Sequence, residues 1–379
     1  MQYLLKNKLD ASSGLLVGAH TIDWGDVELG QEDYAAVYAD ENSIWTIDIY
    51  DQSMFVIAAK NLSELYSKIN DDEKADHWED IANNFAEKTR KQLWMPEKGY
   101  FRICSHVTDY IHDFDEDSLF GMGGNAMAVL SGIADEEMAA SIFDTAVERQ
   151  NEYGITTISG AVLPPYPEGT FSHPAVRTPY TYQNGGQWDW FGARLITAMY
   201  RLGYDSLADQ KLIEIAEKVS TNRGINEWEA PDGTPCGSKN YAGAAGTICQ
   251  AIVEGRYGIN WSKDELVITP STTLADGEIA LFDYASGEYL NFEYSSSEAG
   301  TNVTYSTDFS GGMIEINIPI PGNILSENIC VICNGMPIKP EFFEKNGNVY
   351  CIVKSEARMD CNIQVNFALS SSNEQTEPI

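Results

Sequence analysis

Apolar positions along the first two thirds of the chain recur at steps of three and four. Ala58, Leu62, Leu65 and Ile69 form one series, and Phe191, Leu195, Ala198 and Leu202 another. Met138, Ile142 and Ala146 mark a third face, and Leu212, Ile215 and Val219 a fourth. Each series is the stripe of an amphipathic helix. Together they predict helices in pairs: about 53–70 with 72–93, 121–133 with 135–152, and 187–203 with 205–221, before a last helix over about 243–257. Asp71-Asp72, Asp135-Glu136 and Asp205-Ser206 open the second member of each pair. Acids there face the positive end of the helix dipole and supply caps for free N–H groups.

The period changes near Trp261. Ile314, Ile316, Ile318 and Ile320 alternate with Glu315, Asn317 and Pro319, and Ile363, Val365 and Phe367 alternate with Asn362, Gln364 and Asn366. Leu290, Phe292 and Tyr294 form a third set, with Gly, Asn and Ser clusters between the runs. A period of two with turn residues between runs predicts an antiparallel β-sandwich. The expected organisation is a helical-hairpin domain over 1–261, a β-sandwich over 262–369 and a disordered tail over 370–379.

Charge narrows the partners. Lys and Arg number 24 against 57 Asp and Glu, so the formal charge is 24 − 57 = −33. Nucleic acid and an anionic membrane surface are disfavoured by a field of that sign. The 43% hydrophobic content is enough to fill a core, which argues against disorder. No apolar run reaches the length of a membrane span. Seven scattered cysteines, an odd number, read as reduced and mostly buried thiols. Cys330 and Cys333 form the single Cys-x-x-Cys, on a run read as strand, without a second pair at zinc-finger spacing. The five histidines (20, 77, 106, 112, 173) share no ligand spacing. His112-Asp-Phe-Asp-Glu-Asp117 mimics the start of a calcium loop but lacks its glycine and final glutamate, and reads as an acidic rim or a subsite wall. The expectation is therefore no metal and no cofactor. Residues 1–10 are too short and too charged for a signal peptide, so the expected location is the cytoplasm unless a secretion signal lies upstream.

Between the helical pairs lie long loops, about 11–50, 95–118, 153–186 and 223–242. Loops of that length commonly carry function. The first contains Thr21-Ile-Asp23-Trp24-Gly-Asp26. The third contains Tyr180-Thr-Tyr182-Gln183-Asn184-Gly-Gly-Gln-Trp188-Asp-Trp190, and the fourth Asn226-Glu227-Trp228-Glu229. Four of the eight tryptophans (24, 188, 190, 228) lie within two residues of an acid in these loops. Sugar C–H faces stack on aromatic rings while their hydroxyls seek carboxylates and amides, so the pattern fits an oligosaccharide or glycoside. Glycosidic cleavage by inversion needs two carboxyls facing across a water, and Asp26 and Glu227 come from different loops that can supply such a pair.

These motifs carry a family resemblance. Thr21-Ile-Asp-Trp-Gly-Asp26, with Asn61-Leu-Ser-Glu-Leu65 and Trp94-Met-Pro-Glu-Lys-Gly-Tyr-Phe-Arg102 behind it, resembles the six-hairpin (α/α)6-barrel glycosidases. Gly124-Asn-Ala-Met, Pro164-Pro-Tyr166, Tyr182-Gln-Asn-Gly-Gly186 and Gly243-Ala-Ala-Gly246 fit the same pattern. The order is similar to the cellobiose/chitobiose phosphorylase family, in which an Asp-Trp-Asn-Asp segment carries the general acid on its second Asp. Asn226-Glu-Trp-x-x-Pro-Asp-Gly233 resembles the segment of processing-glucosidase and debranching-type barrels whose Glu is the catalytic base. Two features depart from the phosphorylase pattern: Gly25 stands where those enzymes have Asn, and no Arg/His cluster reads as a phosphate cradle.

The resemblance implies an (α/α)6 toroid over about 1–260 with an appended β domain. It makes Asp26 the general acid, Glu227 the base with Glu229 as its rival, and Asp23 a sugar-binding or orienting group. Asp26 is expected to be held protonated by burial against Trp24 and by the charge of Asp23. Trp24, Tyr182, Gln183, Asn184, Trp188, Trp190, Trp228 and Glu229 are the expected substrate contacts. A complete barrel of this kind has twelve helices, whereas the periodicity supplies seven and a stub at 1–9, so the chain is expected to be an N-terminally truncated piece. The expected function is an inverting glycoside hydrolase. An inverting disaccharide phosphorylase and a non-catalytic carbohydrate-binding remnant are the alternatives.

Overall fold

A computed structural model describes residues 1–32, 39, 42–322, 324–325, 328–356 and 360–367. The expected tail at 370–379 and the last two residues of the expected β domain lie outside the described residues. The chain divides into two compact units: one of Met1–Ala198 with Gln210–Gln250, and one of Met199–Asp209 with Ala251–Ile379.

Among the described residues there are eight α-helices, α1 Gln2–Asn7, α2 Ile49–Lys68, α3 Asp72–Leu93, α4 Met122–Ser131, α5 Glu136–Glu152, α6 Asp189–Arg201, α7 Asp205–Asn222 and α8 Ala242–Gln250, of which α2 to α7 follow the predicted pairing. A π-helical turn, Ala251–Arg256, continues the last. Their ends follow from caps. Asp48 accepts the Asp51 N–H at 2.7 Å to open α2, and Asp135 accepts the Met138 N–H at 2.9 Å to open α5. Gly132, at φ 76°, ends α4 in the left-handed conformation that suits glycine.

The α2–α3 hairpin corrects one predicted face. The residues that α2 buries are Ile49, Gln52, Ser53, Phe55, Val56 and Ala59, with Phe55 packed on Phe85 of α3 at 4.3 Å between ring centroids. Leu65 and Ile69, from the expected stripe, are 61% and 67% exposed. The helix outruns its packing: beyond Ala59 it buries no residue. The other predicted faces do point inward, with Phe191, Leu195, Ala198, Ile142, Ala146, Leu212 and Ile215 all buried. A separate apolar cluster lies under the long loops, built from Ile22, Val27, Leu29, Ile103, Cys104, Leu119, Val162, Tyr166, Phe171 and Val176.

The second unit holds two sheets. A six-stranded antiparallel sheet runs in the order Asp276–Asp283, Glu288–Ser297, Gly300–Thr307, Cys361–Phe367, Ile329–Cys333, Met336–Ile338. A five-stranded sheet runs Ile259–Trp261, Glu265–Ile268, Met313–Ile320, Asn348–Glu356, Glu341–Lys345. One pairing departs from the antiparallel expectation, because Glu265–Ile268 and Met313–Ile320 run parallel. Leu290, Phe292, Val303, Ile363 and Val365 of the first sheet and Leu266, Ile268, Ile314, Ile316, Ile318 and Val353 of the second form one core cluster. Asn317 was expected on a polar face, yet it is 4% exposed and donates to Thr269 Oγ1 at 3.0 Å. Its strand is an interior one, so a polar residue there must find a partner.

The cysteines are free. Cys333 Sγ lies 3.3 Å from Cys361 Sγ across paired strands, while Cys330 is exposed. Among the described residues no helix is long and apolar enough to cross a membrane.

Candidate active site

The loop of residues 20–29 has little regular structure and is held by its backbone. His20 donates its N–H to Ile44 O at 2.8 Å, and Leu29 donates to His20 O at 2.9 Å, closing the base of the loop. At its tip Gly25 donates to Ile22 O at 2.7 Å, and Asp23 takes a φ of 51°. A left-handed non-glycine residue is uncommon, and such residues concentrate at functional sites.

Asp23 is the anchor. Its carboxylate accepts the Gly124 N–H through both oxygens at 2.9 Å, and accepts the Gly123 N–H as well. Both donors are among the free N–H groups in the first turn of α4. The two glycines are a steric requirement. A Cβ on Gly123 would stand 2.0 Å from Trp24 Cδ1, and one on Gly124 would stand 2.5 Å from Asp23 Oδ1. Burial pushes the Asp23 carboxyl up to about 7, against the opposing pull of the two N–H groups. The neighbouring Asp48 is pushed up by burial, then by the charges of Asp51 and Asp23.

Asp26, three residues on, is exposed. The expected burial against Trp24 is therefore not found, and the buried carboxyl of the motif is Asp23. Trp24 instead turns to Trp188, Trp190 and Phe191, with ring centroids 4.8, 5.7 and 4.6 Å away. Asp26 is held by Gln183, whose Nε2 donates to Oδ1 at 2.8 Å. Gln183 is itself 2% exposed, and its Oε1 is buried without a partner.

Glu227 lies on the hairpin of Asn226–Glu229 with Pro235–Lys239, at a break in register between Asn226 and Trp228. An irregularity of this kind re-aims a side chain. Ser238 donates its N–H to Glu227 Oε2 at 2.8 Å, and the Tyr182 hydroxyl bonds to the same carboxylate. Tyr182 takes a left-handed φ of 46°, and a Cβ on Gly186 would stand 2.4 Å from its carbonyl oxygen. The turn thus requires glycine at 186 to let Tyr182 lean over. Burial raises the phenol of Tyr182, and the charges of Asp26 and then Glu227 add to it. Tyr241 is raised by burial and by the same two carboxylates. The charges of these two carboxyls, from loops far apart in sequence, thus both act on Tyr182 and Tyr241. Trp228 (6.2 Å from Tyr182) and Trp190 (6.2 Å from Tyr241) extend this aromatic lining.

Three expected contacts have other duties. Trp188 is 2% exposed and donates its indole N–H to Tyr182 O at 3.1 Å, so it supports the lining from behind. Asn184 is 1% exposed, with its amide bonded to the backbone of Tyr166 and Val176. Glu229 is 1% exposed and accepts from Lys218 at 3.0 Å, while Lys218 also reaches Asp189 at 2.8 Å. Burial raises Glu229, and Lys218 opposes that shift. Glu229 is thus held in a buried ion triad, whereas Glu227 is half-buried.

Sequence reasoning missed Tyr241 and Gly123, and a second constellation. The 112–117 segment is only partly a solvated rim: Asp115 and Asp117 pair outward with Lys98 and Arg102, but Glu116 turns inward. There it meets His20, His106 and His112, with Cys104 close by. These are the described residues with the donor set for a metal ion. Spacing along the chain gave no sign of this grouping, because His20 comes from the 20–29 loop and the other members from the 104–118 segment.

The sequence profile of the mannosylglycerate hydrolase MGH1-like glycoside hydrolase domain matches residues 21–242, more than half of the 379 residues. No curated protein matches the sequence significantly. Among solved structures, an α-L-rhamnosidase from Streptomyces avermitilis complexed with L-rhamnose is similar at a TM-score of 0.57 and 12% identity, over 96% of this chain and 29% of that one. A GH78 family rhamnosidase from Bacillus sp. GL1 is similar at 0.54 and 16% identity, over 85% of this chain and 30% of that one. The chain spans less than a third of the length of either structure. At these identities the likeness is one of fold, and the fold is of the six-hairpin glycosidase type.

Proposed function

Because the chain belongs to the mannosylglycerate hydrolase MGH1-like glycoside hydrolase domain family, we propose that it hydrolyses a neutral glycosidic bond of an oligosaccharide or glycoside with inversion. Asp26 is the general acid and Glu227 the general base. The observation that supports this reading is the pair of carboxyls held on separate loops, Asp26 by Gln183 and Glu227 by Ser238, whose charges both act on Tyr182 and Tyr241. Residues 1–261 are read as the catalytic domain, a part of an (α/α)6 toroid, and 262–369 as a β-sandwich domain.

The chemistry follows from the contacts. Gln183 engages one oxygen of Asp26 and leaves Oδ2 for the glycosidic oxygen. Asp26 gives its proton to that oxygen as the C–O bond breaks, and the aglycone departs as an alcohol. Glu227, fixed by Ser238 and Tyr182, takes a proton from water while the water oxygen attacks the anomeric carbon from the opposite face. The half-buried Trp24, Trp190, Trp228 and Tyr182 offer apolar faces to the sugar. Asp23 acts as the orienting group, since both its oxygens are taken by the N-terminus of α4.

A screen of aryl glycosides and oligosaccharides, with the product anomer read by NMR, tests the reading. Inverted configuration is expected, and Glu227→Gln is expected to lower kcat by about 10²–10⁴-fold with sugar binding retained. Retained configuration, or unchanged turnover in that variant, overturns the assignment. Release of a sugar 1-phosphate that depends on added phosphate would replace hydrolysis with phosphorolysis.

A further inference from the structure

We propose that His106, His112 and Glu116, closed from the inner side by His20, form a site for one divalent metal ion of the zinc class. His106 Nε2 lies 2.7 Å from Glu116 Oε2, and His112 Nε2 lies 4.0 Å from the same oxygen. The three ligand atoms all fall within 4.8 Å of one another. With zinc–ligand bonds of ~2.0–2.1 Å, tetrahedral ligand atoms stand roughly 3.3 Å apart. The observed separations bracket that edge, so small side-chain rotations bring the set to coordinating geometry.

The tautomer of His112 is already the one a ligand needs. Its Nδ1 sits 2.8 Å from Phe114 O. A carbonyl only accepts, so Nδ1 carries the proton, and the Nε2 of the neutral ring presents its lone pair toward Glu116. At 4.0 Å, Nε2 is beyond hydrogen-bond reach of the carboxylate. A backbone carbonyl behind the ring is the usual support of a metal-bound histidine.

His20 supplies an independent indication. It is 0% exposed, and both of its ring nitrogens lack a hydrogen-bond partner. A buried polar group left in that state is destabilising and calls for an explanation. Its Nε2 is 3.5 Å from Glu116 Oε1, and its ring lies edge-on to His106 at 5.0 Å. His20, Cys104 and Glu116 form a second overlapping ligand group that shares the same carboxylate. Imidazoles with one carboxylate suit zinc and its transition-metal neighbours, whereas calcium and magnesium prefer all-oxygen shells.

The ion would act as a staple. His20 closes the base of the loop that carries Asp23 and Asp26, and His106, His112 and Glu116 belong to the 104–118 segment. Coordination ties the two together. The role is structural, and nothing in it depends on the assignment of the acid and base.

The untagged full chain, stripped with a chelator, is titrated with Zn²⁺ by calorimetry and with Co²⁺ by visible absorption. One equivalent should bind, Co²⁺ should give the ligand-field bands of a four-coordinate ion, and Zn²⁺ should raise Tm. His112→Ala and Glu116→Gln should each weaken binding at least about tenfold and remove the Tm shift. His112 sits on an exposed loop, so its variant is expected to fold, which circular dichroism checks. Uptake of no ion by the wild type, or equal uptake by the two folded variants, overturns the proposal.

Discussion

The titration of Asp23 is a direct handle on how the 20–29 loop is anchored. Its carboxyl is held at about 7 by burial, against ~3.9 for an aspartate in an unfolded chain. The folded state therefore binds this proton more tightly than the unfolded state. Stability is fully present below about pH 4 and is lost as pH rises toward 7, by roughly three pKa units at ~1.36 kcal/mol each, or about 4 kcal/mol. Asp23→Asn cannot titrate. The variant carries a fixed penalty, because an amide N–H₂ now faces the Gly124 N–H, but that penalty does not depend on pH. Groups common to both proteins cancel in the difference. The exception is Asp48, whose upward shift includes the charge of Asp23, and its relief in the variant acts in the same direction. Urea unfolding followed by tryptophan fluorescence, at pH steps from 4 to 8, should show the wild type losing about 4 kcal/mol relative to the variant. Stability curves that run parallel across this range would refute the buried, ionisable anchor.

Three further outcomes follow. Gln183→Ala removes the hydrogen bond that holds Asp26, and a bond to a charged group is worth ~1.5–3 kcal/mol. Its kcat on an aryl glycoside should fall by about 10–100-fold with little change in KM, and a wild-type kcat would remove Gln183 from the machinery. Lys218→Met leaves Asp189 and Glu229 as an unpaired buried acid pair, a loss of ~3–5 kcal/mol readable by urea unfolding; a variant of normal stability without activity would instead place Glu229 in the chemistry. Gly124→Ala forces a Cβ to within 2.5 Å of Asp23 Oδ1 and 2.3 Å of Ile49 Cγ2. Overpacking of about 1–3 kcal/mol should lower Tm, and an unchanged Tm would show that Asp23 can move away freely.

Helix pairing was legible because it is local. A stripe every three or four residues and an acid at the next N-terminus are short-range signals, and the caps at Asp71 and Asp135 follow from them. The failures share one cause, which is that burial is a property of neighbours distant in sequence. Leu65 and Ile69 have the spacing of a core face, but helix α2 extends past whatever would cover them. Asp23 and Asp26 are near-equivalent in the motif, yet Gly123 and Gly124, about a hundred positions later, open a slot that takes only the first. Glu227 and Glu229 are two positions apart, which a regular strand would put on one face, but the register breaks between Asn226 and Trp228 and Lys218 of the preceding helix pairs with Glu229 alone. The glycine pair was the one readable clue: two adjacent glycines at a helix start reduce helix propensity, which marks a close approach by something else.

The 20–29 loop also shows why an irregular segment can present a reactive group. Loops supply few backbone partners of their own, so their geometry must be fixed by contacts at chosen points. Here the tip is pinned by Asp23 on the first turn of α4, and the base by His20 between Ile44 and Leu29. Asp26 lies between these pins and is steered by Gln183 from a third segment. Each pinning residue also buries a polar side chain, unfavourable alone, and the two are satisfied unequally. Asp23 accepts from two backbone N–H groups, whereas neither ring nitrogen of His20 has a hydrogen-bond partner. An apolar side chain at position 20 would fill the pocket of Tyr110, Tyr166 and Phe171 without that penalty. A histidine there is accounted for physically if its nitrogen binds something, and the convergence of Glu116, His106 and His112 on the same point makes a metal ion the consistent candidate. Loop order and metal uptake should then move together: Zn²⁺ should slow amide hydrogen exchange at residues 20–29 in the wild type and leave it unchanged in His112→Ala.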